Sequence, residues 1–70
     1  DDPEPDGPAR LLVREAMQFI EANLDADLRV RDLAARFSVT PYALIRAFRR
    51  VAGVAPHQYL VSRRLERARA

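Results

Sequence analysis

Residue types on which many enzymes and metal sites depend are missing from this sequence or scarce in it. The chain has no cysteine and one histidine, His57. The lack of cysteine excludes a disulfide framework, a thiolate zinc site and a cysteine nucleophile. A single histidine also leaves general-base and metal-binding schemes without partners. A core built from 70 residues rarely contributes more than roughly 3 to 5 kcal/mol of net stability. We therefore expect no enzyme and no cofactor.

Long apolar runs are lacking as well. The longest apolar stretches are a few residues long and are interrupted by arginine, far short of the roughly 18 residues that a membrane-spanning helix needs. The chain does not open on a basic and then apolar leader. These features predict a soluble, cytoplasmic domain without a membrane partner.

Lysine is absent, so all 12 basic residues are arginines, against 10 acids. Residues 1–35 hold nine acids and four arginines, a net charge of −5, whereas residues 36–70 hold one acid and eight arginines, a net charge of +7. This asymmetry indicates an anionic partner for the C-terminal half, although a solvated charged face is an alternative explanation.

The N-terminal residues differ in composition from the rest. Residues 1–8, DDPEPDGP, consist of acids, prolines and one glycine, which predicts an acidic, proline-rich linker or tail. A helical pattern begins near Pro8, with Asp6 and Pro8 as start signals, and the following loop spans residues 23–27. The apolar stripe of this first predicted helix consists of Leu12, Ala16, Phe19, Ile20 and Leu24.

Three further helices follow from the pattern of apolar residues and caps. A short helix is predicted over residues 30–37, and after Ser38 and Val39 a new start is indicated by Thr40 as N-cap and Pro41 at the first helical position. The third helix ends at Gly53, which takes the left-handed conformation without penalty.

The fourth helix begins near Pro56 and continues in pattern to residue 70. Because no stretch alternates with period two, the fold class is all-α. The second and third predicted helices are separated by a short turn. This arrangement predicts a helix-turn-helix in a small helical bundle.

The third helix has two unlike faces. A rotation of about 100° per residue predicts a buried stripe of Leu44, Ala47, Phe48 and Val51. The opposite side then carries Tyr42, Arg46, Arg49 and Arg50. Ile45 lies on the flank. No acid occurs in this helix, and an arginine fork can bind guanine or a phosphate. The alternatives are that these arginines only keep the helix soluble and that Tyr42 packs against the neighbouring turn.

At this point the residues resemble a known family. Residues 29–68, RVRDLAARFSVTPYALIRAFRRVAGVAPHQYLVSRRLERA, resemble the first helix-turn-helix and linker helix of AraC/XylS-type bacterial transcription regulators. The matching residues are Leu33, Ala34, Leu44, Arg46, Phe48, Arg49, Gly53, Pro56, Tyr59, Leu60, Arg64, Leu65 and Ala68. With the first helix included, the resemblance covers about residues 11–70.

The resemblance implies a homeodomain-like helix-turn-helix followed by a truncated linker helix. Residues 9–70 would be the N-terminal half of an AraC-type DNA-binding domain, with the second half absent. The implied function is sequence-specific binding of double-stranded DNA in transcription regulation. The resemblance also implies two further partners. They are RNA polymerase and a second copy of the chain, which would be held through a domain absent here.

Carried over by position, the resemblance assigns roles to seven residues. The base-facing set is Tyr42, Ile45 and Arg46. The phosphate-contacting set is Thr40, Arg49, Arg50 and Arg29. Ile45 suits contact with a thymine methyl, or is instead a partly buried flank residue.

The sequence departs from the family pattern at three positions. Arg29 and Ala55 stand where the family has a Ser or Thr, and Ser38 stands where it has Gly. Each change loses a capping or turn preference, and a lost cap typically costs about 1 kcal/mol. In the fourth helix we expect one uncovered apolar face and a mainly structural role for Arg64, with DNA contact as the alternative.

A second function remains open. The same arginine face is also suited to a helical interaction module that binds an acidic protein partner.

Overall fold

The computed structural model describes residues 7–69, which form four helices: α1 (Gly7–Ala22), α2 (Val30–Arg36), α3 (Pro41–Ala52) and α4 (Pro56–Arg69). No strand occurs within these residues, and the predicted all-α bundle is confirmed. The predicted tail overlaps the first helix, because Gly7 and Pro8 already belong to α1. Proline is accommodated there since a first-turn residue needs no N–H partner. Residues 1–6, and with them Asp6 as a start signal, lie outside the described residues.

The buried face of α1 is rotated from the predicted stripe. Val13, which the prediction omitted, is 1% exposed and lies with Ala16 and Ile20 at the centre of the buried face. Leu12 and Phe19 lie at its edges and are only partly buried. The chain then turns through residues 23–26, as expected.

The turn between α2 and α3 is closed by backbone hydrogen bonds. The Ser38 N–H donates to Ala35 O at 3.1 Å, and the Val39 N–H donates to Ala34 O at 3.0 Å. This pair of bonds is the Schellman pattern at a helix C-terminus. It requires a left-handed residue after Phe37, and Ser38 has a φ of 59°. Ser38, which stands where the family has glycine, is therefore the one non-glycine residue with a positive φ among the described residues.

Both predicted boundaries of α3 are confirmed. The Thr40 side chain accepts a hydrogen bond from the Ala43 N–H at 3.1 Å, and Pro41 occupies the first turn. At the other end Gly53 has a φ of 83° and its N–H donates to Arg49 O. α2, in contrast, begins at Arg29 without a side-chain cap, as the sequence indicated.

The start of α4 is capped from within the helix. Ala55 has no side chain with which to cap, but its N–H donates to Gln58 Oε1 at 2.9 Å. Gln58 is the third residue of α4 and supplies half of a capping box. The loss expected at Ala55 is therefore partly compensated.

The core forms where α1 and α2 pack against α3 and where α4 closes on α3. Leu44 and Phe48 of α3 are fully buried within it. The prediction that Val51 is buried is wrong, since its side chain is 38% exposed. A helical wheel gives the direction of a side chain from the helix axis, but it does not show how far the neighbouring helices extend. The helices packed against α3 do not fully cover its last turn, where Val51 lies.

α4 is held by one aromatic contact and several polar ones. The Tyr59 ring lies 5.8 Å from the Phe48 ring, centroid to centroid. Arg64 donates from Nε to Leu24 O at 2.8 Å and from its terminal nitrogen to Ala26 O at 2.6 Å. These bonds agree with the structural role expected of Arg64. Farther along α4, Leu65 is 57% exposed, as expected for an uncovered face.

Candidate nucleic-acid interface

The outer face of α3 is defined here by Tyr42, Arg46, Arg49 and Arg50. All four side chains are exposed, whereas Leu44 and Phe48 on the opposite side are fully buried. Burial of this apolar stripe sets the rotation of α3 about its axis. The sequence therefore predicted correctly that these four side chains of α3 are exposed.

Tyr42 and Arg46 form a pair on the outer face. They are one helical turn apart, and Arg46 Cζ lies 5.7 Å from the centroid of the Tyr42 ring, within the range of a cation–π interaction. Tyr42 is 69% exposed, so its ring is not part of the core.

Two arginines of the outer face, Arg46 and Arg49, differ from those of α4 in having no acidic partner among the described residues. Within residues 7–69 no carboxylate pairs with Arg46 or Arg49. On α4, by comparison, Arg63 pairs with Glu21, and Arg67 lies 3.8 Å from Asp25. α3 itself contains no acid. Arg46 and Arg49 thus present positive charge to solvent without a carboxylate partner among the described residues.

The remaining predicted site residues lie around this face. Thr40 is exposed beside the start of α3, and its oxygen accepts the capping bond while its hydroxyl proton stays available to an acceptor. Ile45 is half-buried on the flank of α3, where the wheel predicted it. Its exposed part borders the outer face.

Arg29 is the predicted site residue least well placed for an anion. It precedes α2, and its guanidinium lies 3.6 Å from the Asp27 carboxylate, both side chains being exposed. It lines one depression together with His57 at the start of α4. The nearby carboxylate would oppose a phosphate at this position.

A polar cluster between α1 and α4 was not predicted from the sequence. Glu21 accepts hydrogen bonds from the Tyr59 hydroxyl at 2.9 Å and from Arg63 at 3.3 Å, and Arg63 also pairs with Glu66. The bonds from Arg63 and Tyr59 lower the pKa of Glu21, and burial, followed by the nearby carboxylate, raises the pKa of Tyr59. The only signal in the sequence was an acid on α1 and a basic residue on α4, 42 positions apart, which no local pattern connects.

Two of the surface depressions among the described residues lie at the ends of α1 and α4. A depression of about 630 Å³ lies at the loop after α1 and the end of α4 and is open to solvent. A more enclosed one of about 260 Å³ is mainly apolar, with Ile20, Leu28, Leu33 and Leu60 among its lining residues. It is smaller than the roughly 300 to 1,000 Å³ typical of ligand pockets.

The described residues offer neither a metal-binding cluster nor a membrane-spanning helix. Residues 7–69 contain no group of three or more His, Asp or Glu side chains arranged to hold a metal ion. None of the four helices in this range has the length and apolar character that a membrane crossing requires.

Comparison of the chain with protein-family models, with curated proteins and with solved structures found no match.

Proposed function

We propose that this domain binds double-stranded DNA by inserting α3 into the major groove. The observation that carries the proposal is the outer face, where exposed Arg46 and Arg49 have no carboxylate partner among the described residues and Tyr42 stands beside them. Leu44 and Phe48 keep this face turned away from the core.

The dimensions of α3 suit the groove. With 12 residues, α3 is roughly 18 Å long at about 1.5 Å per residue, and a helix with its side chains is about 10 to 12 Å wide. The major groove of B-DNA is about 12 Å wide and admits one helix. α2 and the turn at Ser38 precede α3, which is the order of a helix-turn-helix, where the second helix is the one presented to the bases.

The position of each arginine along α3 suggests its role. Arg49 and Arg50 lie in the last turn, where positive charge also stabilises the helix dipole, so part of their presence has a structural explanation. Arg46 lies one turn earlier, where the dipole offers it little. We therefore assign Arg46 to a base edge and Arg49 and Arg50 to phosphates.

The other assignments follow from the geometry with less support. Thr40 would donate its hydroxyl proton to a phosphate, and the exposed part of Ile45 would contact a thymine methyl. Arg29, beside Asp27, would contribute least.

The wider identity is also a proposal. The resemblance to AraC/XylS regulators supports a bacterial transcription regulator that acts in the cytoplasm and contacts RNA polymerase.

A salt titration tests DNA binding directly. Affinity for labelled random-sequence duplexes would be measured from about 50 to 200 mM salt. The logarithm of affinity should fall linearly with the logarithm of salt concentration, with a slope of about −0.9 for each phosphate contact. The Kd for non-specific binding at physiological salt should be on the order of 10⁻⁴ to 10⁻⁶ M, which is the typical range. An affinity for DNA that does not depend on salt would contradict the proposal, whereas binding to polyglutamate but not to DNA would favour the acidic-partner alternative.

Substitutions separate base reading from phosphate contact. On a duplex selected from a randomised library, Arg46→Ala should cost about 1 to 3 kcal/mol and flatten sequence preference, whereas Arg49→Ala should weaken all sequences alike and reduce the salt slope by about 1. Arg67→Ala removes the same charge from α4 and is the matched control. If Arg46→Ala leaves the preference intact, the assignment of Arg46 to bases is wrong.

A further inference from the structure

We infer that Tyr42 is a positioning residue whose ring holds the Arg46 guanidinium for a guanine, so that the pair forms one guanine-selective unit. The inference rests on the proposed DNA binding and deepens it. It differs from the expectation that Tyr42 contacts a base itself, because here the ring acts through Arg46.

The backbone fixes where the Tyr42 ring lies. Thr40 caps α3 and Pro41 occupies its first turn, so Tyr42 is at the second helical position of a well-defined helix start. Residues four apart in a helix lie on one face, which brings Arg46 over the ring at 5.7 Å. Since α3 contains no acid, no carboxylate on this helix competes with the ring for the guanidinium.

Core packing does not explain why an aromatic residue stands at this position. The Tyr42 side chain is 69% exposed, unlike Tyr59, whose ring contacts Phe48 in the core and whose hydroxyl donates to Glu21. The Tyr42 ring lies instead against the Arg46 guanidinium. A large exposed aromatic side chain on a surface helix without a packing role is consistent with a role in recognition.

The benefit of the pair is a reduced ordering cost. A free arginine side chain samples many rotamers, and this freedom is lost when its planar fork binds a guanine edge through two parallel hydrogen bonds. A ring that already restricts the guanidinium reduces the loss on binding, which is preorganisation. The π face is what provides the restraint, so the phenol hydroxyl should be dispensable.

The test uses three variants on the duplex selected by the wild-type domain and on its guanine-to-adenine counterpart. Tyr42→Phe keeps the ring and should retain the preference for guanine. Tyr42→Leu keeps apolar bulk without a π face and should lower the preference about two- to fivefold, the effect of an exposed cation–π contact. In an Arg46→Ala background Tyr42→Leu should have no further effect, because the two residues act as one unit.

Nuclear magnetic resonance of the DNA-free domain gives an independent readout. The Arg46 side-chain methylene protons should be shifted upfield by the ring in the wild type and in Tyr42→Phe, and this shift should be lost in Tyr42→Leu. Because Tyr42 is exposed, all variants should unfold at nearly the same temperature, which circular dichroism checks.

The outcomes are distinguishable. Loss of guanine preference in Tyr42→Phe would show that the hydroxyl contacts DNA directly, and an unchanged preference in Tyr42→Leu, or no upfield shift, would overturn the inference while DNA binding stands. Failure of the wild type to bind any duplex would overturn the proposed function itself, and the reading of guanine with it.

Discussion

Ser38 occupies a backbone conformation that glycine adopts at lower cost, and Ser38→Gly should stabilise the domain. The residue follows α2 with a φ of 59°, and its N–H and that of Val39 close the turn by bonding to Ala35 and Ala34. Its side chain is exposed. The substitution therefore removes backbone strain without removing any contact of the core.

The size of the effect follows from two opposing terms. A left-handed conformation costs an L-residue about 1 to 2 kcal/mol, which glycine avoids. Glycine makes the unfolded chain more flexible, which costs about 0.4 to 1 kcal/mol. The net gain in the free energy of unfolding should be about 0.5 to 1 kcal/mol, which for a domain of this size raises Tm by about 2 to 8 °C.

Thermal unfolding followed by circular dichroism measures this change, and the chain offers a matched control. Ser62 lies within α4 and is also exposed, but there glycine weakens the helix, so Ser62→Gly should lower the free energy of unfolding by about 0.3 to 0.5 kcal/mol. Ser38→Ala keeps the β-carbon and should give no gain. If Ser38→Gly and Ser62→Gly shift Tm in the same direction, the strain assigned to Ser38 is refuted.

Two further substitutions test the contacts between α4 and the rest of the bundle. The pKa of Glu21 is lowered in the folded state by bonds from Arg63 and Tyr59, so its contribution to stability is present above its unfolded pKa of about 4.3 and is lost as pH falls through the lower folded value. Urea unfolding between about pH 5 and 2 should therefore depend less on pH in Glu21→Gln than in the wild type or in the exposed α1 control Glu15→Gln; equal slopes would contradict the assignment. Arg64→Met should lower the free energy of unfolding by about 1 kcal/mol through lost hydrogen bonds and leave the salt slope of DNA binding unchanged, whereas a slope reduced by about 1 would identify Arg64 as a phosphate contact.

Much of the fold could be predicted because its signals are local. Thr40 followed by Pro41 marks the start of α3, and Gly53 marks its end, since capping and left-handed backbone depend on the residue and its immediate neighbours. The rotation of α3 was also predictable, because the apolar stripe around Leu44 and Phe48 is wide and continuous. The outer face is the complement of that stripe, so its members could be named from the sequence.

Errors arose where the answer depended on the extent of neighbouring elements. Val51 was predicted to be buried but is 38% exposed. Val13 was not predicted to be in the core but is only 1% exposed. Periodicity gives the direction of a side chain from the helix axis, but burial also requires that a neighbouring helix reach the same height along that axis. That second quantity is set by how whole helices pack.

The sequence by itself determined the number of helices, the ends of α3 and the exposure of the four residues of its outer face. Tertiary structure alone decided which arginines are engaged across the fold: Arg63 and Arg64 are bound to α1 and to the loop that follows it, whereas Arg46 contacts Tyr42 of its own helix. Arginine side chains are long and flexible, and their partners are fixed by distances across the fold. Composition counts these charges alike, and only packing separates those that hold the bundle together from those presented to solvent.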